Sequence, residues 1–144
     1  MTTGTTMVIG GGRIGTALAR QLHAMGHEVV VLERDATCVA RLAAQDPGVR
    51  VVQADGVDPS ALEAAGIRRA SIVAAVTGDD AANVVVAALA RLEFAVPHTI
   101  ARIVDPAHAW LFDPSTGVDI AVDQAELLAR AILDRAELRG VPGA

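Results

Sequence analysis

The sequence contains neither lysine nor tyrosine, and all of its twelve basic residues are arginine. Without lysine there is no GxxxxGK phosphate loop, no Schiff-base chemistry and no kinase-type phosphate lysine. Without both residues, the Tyr and Lys catalytic pair of short-chain dehydrogenases is missing as well. Cys38 is the single cysteine, which excludes an internal disulfide and a thiolate cluster for a structural metal, and points to a reducing cytoplasm. No run of about 18 apolar residues occurs, and the opening MTTGTT has no positive or apolar region, so neither a membrane span nor a signal peptide is expected. Aromatic residues make up only 2% of the chain and the net charge is -5, which leaves neither stacking platforms nor a basic footprint for nucleic acid.

What remains is 144 residues, 52% hydrophobic and 20% charged, enough for one domain with a sizeable core of Ala, Val, Leu and Ile. Such a mixture suits parallel strands buried on both faces. Strand and helix signals alternate. Strands are expected at Thr6–Gly10, Glu28–Glu33, Val49–Ala54, Ser71–Val76, Thr99–Val104 and Asp119–Val122. Between them lie a helix carrying Ile14, Ala17, Leu18, Leu22 and Met25 at helical spacing, helices near Ala36–Gln45 and Asp58–Ile67, a long apolar helix from Asp79 to about Leu92, and a short one near Ala107–Phe112. A last helix runs from Gln124 to about Arg139, and the tail from Arg139 to Ala144 is expected to be unstructured. Each right-handed crossover needs a helix to return the chain, so the expected fold is α/β: a Rossmann-like, doubly wound sheet of six mainly parallel strands with helices on both faces.

The stretch MVIGGGRIGTALARQL places Gly10, Gly12 and Gly15 between the first strand and the first helix, in the pattern G-x-G-x-x-G. The first glycine permits the tight turn, the second lets the backbone approach a pyrophosphate, and the third allows close helix packing. The helix dipole and its free N–H groups then hold the phosphates. Glu33 ends the second strand 18 residues beyond Gly15, where a carboxylate accepts the hydroxyls of an adenosine ribose. Its charge repels a 2′-phosphate, which favours NAD(H) or an adenine nucleotide over NADP, a preference that the neighbouring Arg34 softens.

Together VIGGGRIGTALARQL, VVVLERD, ADGVDPSALEAAGI, AVTGDDAANVVVAALAR and ARIVDPAHAWLFDPSTGVD closely resemble the nucleotide-binding lobe of the regulators of potassium conductance, of the TrkA N-terminal type. The resemblance runs from about Met7 to Leu138, and TGDDxxN after the fourth strand is far more specific than the glycine pattern. It implies a regulatory rather than catalytic domain that binds NAD(H) or ATP/ADP. It also implies a homodimer or higher ring, attached from the cytoplasm to a membrane potassium channel or transporter. Carried over position by position, Gly10, Gly12, Ile14 and Gly15 form the phosphate loop, Arg13 reaches a terminal phosphate, and Glu33 and Arg34 face the ribose. Asp55 and Gly56 lie beside the adenine, Thr77 and Gly78 line the far side of the phosphates, and Arg102 approaches them from the fifth strand.

Bland readings stand beside these. Arg13 also fits a solvated first-turn residue, Asp55 a turn residue, Asp79 a helix N-cap, and Arg102 a partner for a surface carboxylate. Where many members carry a proline and then a glutamate linked to cation binding between subunits, this chain has Gln124 and Ala125. The C-terminal ligand-binding lobe that usually follows is also missing before Ala144. On the last helix, Glu126, Arg130, Asp134 and Glu137 form one polar stripe, leaving Leu127, Leu128, Ala131, Ile132, Leu133, Ala136 and Leu138 to cover the rest, a pattern that predicts dimerisation through this helix. His23, His27, His98 and His108 lack metal-ligand spacing, and Cys38 reads as a small core residue. The alternative function is the NAD-binding lobe of a dehydrogenase whose substrate portion is missing or lies on another chain.

Overall fold

The computed structural model describes residues 4–137. Six strands, β1 (Thr5–Ile9), β2 (Glu28–Glu33), β3 (Arg50–Gln53), β4 (Ala70–Ala75), β5 (His98–Ile103) and β6 (Ile120–Asp123), form one sheet in the order β3-β2-β1-β4-β5-β6. All five pairings are parallel. The α-helices between and after them are α1 (Arg13–Ala24), α2 (Ala36–Gln45), α3 (Pro59–Ala64), α4 (Asp80–Ala88) and α5 (Gln124–Arg135).

Successive strand residues point to opposite faces, so a strand buried on both sides must be apolar throughout. Met7, Ile9, Val30, Leu32, Val73 and Ala75 face one side and pack with Leu62, Ile67, Val86 and Ala90 of the α3–α4 layer. Val8, Val29, Val31, Ala74 and Val76 face the other and meet Ala19 of α1 and Leu42 of α2. The sheet is thus the middle of three layers, built with little aromatic volume.

Most boundaries shift by a residue or so from those read in the sequence. The helix expected over Asp58–Ile67 is α-helical only over Pro59–Ala64, because Gly66 turns at φ +97° and Ile67 opens a 3-10 turn. The short helix near Ala107–Phe112 is a 3-10 helix over Pro106–Leu111. Three further differences have physical causes. On α1, Gly15 and Ala19 are buried with Leu18 and Leu22 partly so, whereas Ile14, Ala17 and Met25 are exposed. Small residues let this helix lie close to the sheet and rotate the expected stripe away from it. The long helix expected to about Leu92 is α-helical only to Ala88, then widens into a π-turn over Leu89–Glu93 that is closed by Phe94 N donating to Leu89 O. The last helix stops at Arg135, because Ala136 caps it and Glu137 takes a left-handed φ of 55°. Leu138, the end expected at Arg139 and the tail lie outside the described residues. Cys38 is half-buried on α2 rather than in the core, with Arg41 Nη2 at 3.7 Å from its Sγ.

Candidate functional site

The strand order reverses its direction of growth at β1 and β4, and a crevice opens beyond their carboxyl ends. In doubly wound sheets that crevice takes ligands. Here it is a cavity of about 840 Å³ with a mostly apolar lining, within the range of small-molecule and cofactor sites. Gly10, Gly12, Arg13 and Ile14 line one wall; Glu33, Arg34, Asp55 and Gly56 line the second; Thr77, Gly78 and Arg102 line the third. Eleven of the twelve site residues expected from the sequence therefore meet in one place. The twelfth, Gly15, lies beneath the loop: a Cβ there would fall 1.7 Å from Gly10 O.

The three motif glycines do different work. Gly10 has φ +113°, and a Cβ on it would meet Thr77 N at 3.0 Å, so it permits the turn across β4. Gly12 has no heavy atom within 4 Å of where a Cβ would be, and its backbone faces open space in the cavity.

Four of the five α-helices begin with an aspartate whose side chain accepts backbone N–H groups: Asp35, Asp58, Asp79 and Asp123. Helix α1 begins at Gly12 with no side-chain cap. Its first N–H groups and the positive end of its dipole are left to whatever occupies the cavity. Asp79 thus serves as the N-cap expected of it, while also lining the rim.

Glu33 is held by both carboxylate oxygens: Gly11 N donates to Oε1 at 2.9 Å and Asp35 N to Oε2 at 2.8 Å. Its remaining lone pairs suit hydroxyl donors from a sugar. Asp55 accepts Val57 N at 3.1 Å in a turn and also borders the cavity, so its two readings coexist. Arg13 is exposed, lines the cavity, and has no hydrogen-bond or ion-pair partner among the described residues. Arg102 does not pair with a carboxylate: its Nε donates to Gln124 Oε1 at 2.6 Å, and its Nη1 to the carbonyls of Val76 and Thr77.

Within TGDDxxN the sequence suggests roles for Thr77, Gly78 and Asp79 but none for Asp80 or Asn83. Asn83, fully buried, accepts Thr77 N at 3.0 Å and Thr77 Oγ1 at 2.6 Å, and donates to Thr77 O and Arg102 O at 3.0 Å each. It pins the β4–α4 loop to β5. Gly11, inside the motif but outside the GxGxxG glycines, was also missed; its N–H orients Glu33, and a Cβ there would press Glu33 Cβ at 3.1 Å.

Behind the same wall the buried Asp80 accepts the amides of Val104 at 2.6 Å and Asp105 at 2.9 Å, and lies 2.8 Å from His108 Nδ1. Burial pushes the Asp80 carboxyl up, but these donors outweigh it and hold its pKa below the ordinary 3.8. The hydrogen bond to Asp80 raises His108 above 6.5 against partial desolvation, with the Asp105 charge assisting. The His108 contribution is complete below 6.5 and is lost as pH rises through its folded value; that of Asp80 is complete above 3.8 and is lost as pH falls through its folded value. Amide exchange over Pro106–Leu111, corrected for intrinsic rate, should therefore be slower at about pH 5.5 than at about pH 8, and His108→Ala should abolish the difference. Equal protection at both pH values in the parent protein would contradict this latch.

The fold and crevice define a doubly wound domain whose glycine loop is of the dinucleotide-binding type. The chain belongs to the TrkA-N domain family, whose model matches residues 6–124. The Trk system potassium uptake protein TrkA of Mycobacterium tuberculosis (strain CDC 1551 / Oshkosh) is 38% identical over 125 residues, covering 87% of this chain and 56% of that protein. This chain spans about half the length of the relatives it matches.

Solved structures at lower identity share the fold. The NAD(P)-binding domain of an exopolyphosphatase-related protein from Archaeoglobus fulgidus has a TM-score of 0.78 at 24% identity, covering 94% of this chain and 98% of that one. GsuK was solved as a channel bound to NAD (TM-score 0.78, 23% identity, 91% of this chain and 23% of that) and also bound to ADP (TM-score 0.78, 24% identity, 94% and 35%).

Among the described residues no helix is long and apolar enough to cross a membrane.

Proposed function

We propose that this domain binds NAD(H) or ATP/ADP in the crevice over β1 and β4, without turning the ligand over, and reports the bound state to a membrane potassium channel or transporter from its cytoplasmic side. The observation that carries the reading is the uncapped start of α1, beside the open backbone of Gly12 and opposite the anchored Glu33. Free N–H groups and a helix dipole at one end of a cavity favour phosphate; a fixed carboxylate at the other favours ribose hydroxyls. The names of the TrkA relatives and the GsuK complexes with NAD and ADP supply the ligand class and the transport context.

In this reading Gly10, Gly12, Ile14 and Gly15 shape the phosphate loop, and Arg13 takes a terminal phosphate. Glu33 and Arg34 meet the ribose, Asp55 and Gly56 border the adenine, and Thr77, Gly78 and Arg102 close the far side. The 144 residues act as one nucleotide-binding domain. Leu127, Leu128 and Ile132 on α5 are each more than half exposed, which supports a homodimer or higher ring formed through that helix.

Titration calorimetry against NAD, NADH, ATP and ADP tests the ligand class. Glu33→Ala should weaken all four by about tenfold, as expected for losing a charge-assisted hydrogen bond, whereas Arg13→Ala should weaken ATP selectively. Absence of heat with every nucleotide would refute the reading.

A further inference from the structure

The geometry points to the Arg102–Gln124 hydrogen bond as the contact through which the charge of a ligand in the cavity reaches α5. The inference rests on the nucleotide reading above and adds its route of transmission.

Arg102 is half-buried on β5 and lines the cavity. Its guanidinium bonds neutral acceptors: Gln124 Oε1 at 2.6 Å, Val76 O at 3.3 Å and Thr77 O at 3.2 Å. Among the described residues no carboxylate forms an ion pair with it. A partly desolvated cation thus faces the cavity without a counter-charge. Hydrogen bonds between charged groups are shorter and about twice as strong as those to neutral ones, so an anionic oxygen in the cavity attracts the guanidinium more strongly than the Gln124 amide does, and a shift of the guanidinium toward it pulls Nε–H away from Gln124.

The other end of this bond is the first residue of α5. The parallel register sets Arg102 opposite Val122, so the bond spans the place where β6 runs into the helix. Beyond that start, Leu127, Leu128 and Ile132 stand more than half exposed, and their packing does not fasten α5 to its own sheet. A terminal phosphate that draws Arg102 inward therefore loosens the root of α5, while a ligand presenting no anion to Arg102 leaves the root tied. By linkage, whatever holds Arg102 on position 124 must also lower affinity for the anion.

Calorimetry and hydrogen exchange on the whole chain, with ATP as the probe, test this. Saturating ATP should speed exchange over residues 124–130 by about threefold or more. Gln124→Ala should show the faster exchange without ligand and no further response. Gln124→Glu, which gives Arg102 a carboxylate, should weaken ATP about tenfold and keep exchange slow. Gln124 lies outside the cavity lining, so neither variant deletes a ligand contact. ATP binding with unchanged exchange over 124–130, or full ATP affinity in Gln124→Glu, overturns the inference alone. No heat with any nucleotide overturns the nucleotide reading and this inference with it.

Discussion

Gly15→Ala should lower the melting temperature of the domain by about 10 °C, which corresponds to a loss of about 3 kcal/mol at this size. Propensity alone argues the opposite, since alanine inside a helix is favoured over glycine by about 1 kcal/mol. Packing decides against it. The added Cβ falls 1.7 Å from Gly10 O and 2.8 Å from Gly10 C, and both are backbone atoms of a turn that cannot swing aside. Helix α1 must lift off the loop, and the burial of Ala19 against Val8 and Val31 is disturbed with it. Gly12→Asp is the contrasting variant. Its Cβ meets nothing within 4 Å, so the melting temperature should stay within about 2 °C, as for surface substitutions, while the new carboxylate opposes a phosphate at the start of α1. Thermal unfolding and nucleotide calorimetry on the two proteins separate the roles: a stable Gly15→Ala or a fully binding Gly12→Asp would contradict this division of labour.

The middle of the sheet was legible because β1, β2 and β4 are buried on both faces for most of their length, and VVVL or SIVAAV then carries a signal that needs no partner to interpret. Caps were legible for a similar reason. Aspartate before a helix acts within three residues, and Asp79 behaves as its position suggested. Helix faces were harder to read. An apolar repeat on α1 names a stripe, but which part of it meets the sheet depends on how close Gly15 lets the helix come, a distance no periodicity contains. Likewise the π-turn after Ala88 is set by how Phe94 and Val96 enter the core, not by local preference.

For the cavity, the sequence supplied the positions but not the bonds between them. The glycines and Glu33 follow a fixed spacing imposed by the βαβ unit, so they were found together. Asn83, by contrast, lies on α4 and meets Arg102 of β5, 19 positions away in the chain, a contact that exists only once the sheet has formed. Arg102 shows the same limit. From the sequence a phosphate or a surface carboxylate was an equally natural partner, and the residue that holds it is Gln124, made a neighbour by β5–β6 register.

Asn83→Ala should have the larger effect on function, removing nucleotide binding and destabilising the domain by about 3 kcal/mol, because the four hydrogen bonds of a fully buried side chain are lost at once. Thr77 N loses its side-chain acceptor and the Arg102 carbonyl its side-chain donor, whereas Thr77 Oγ1 keeps Asp79 O and Thr77 O keeps Arg102 Nη1. These groups do not share the cost equally: Thr77 borders the cavity and can recover water, whereas the Arg102 carbonyl lies inside the β4–β5 end of the sheet. Without the pin, the loop Thr77–Asp79 is free to leave the wall it forms, and Arg102 Nη1 loses the fixed carbonyls it bonds. Asn83→Asp refines the test, since it keeps a side-chain acceptor for Thr77 N but replaces both amide N–H bonds with repulsion toward two carbonyl oxygens. If buried hydrogen bonding fixes the loop, Asn83→Asp should also fail to bind nucleotide at neutral pH while retaining the far-ultraviolet circular dichroism of the fold. An Asn83→Ala protein that melts with the parent and binds ATP or NAD with parental affinity would show that the loop needs no such pin.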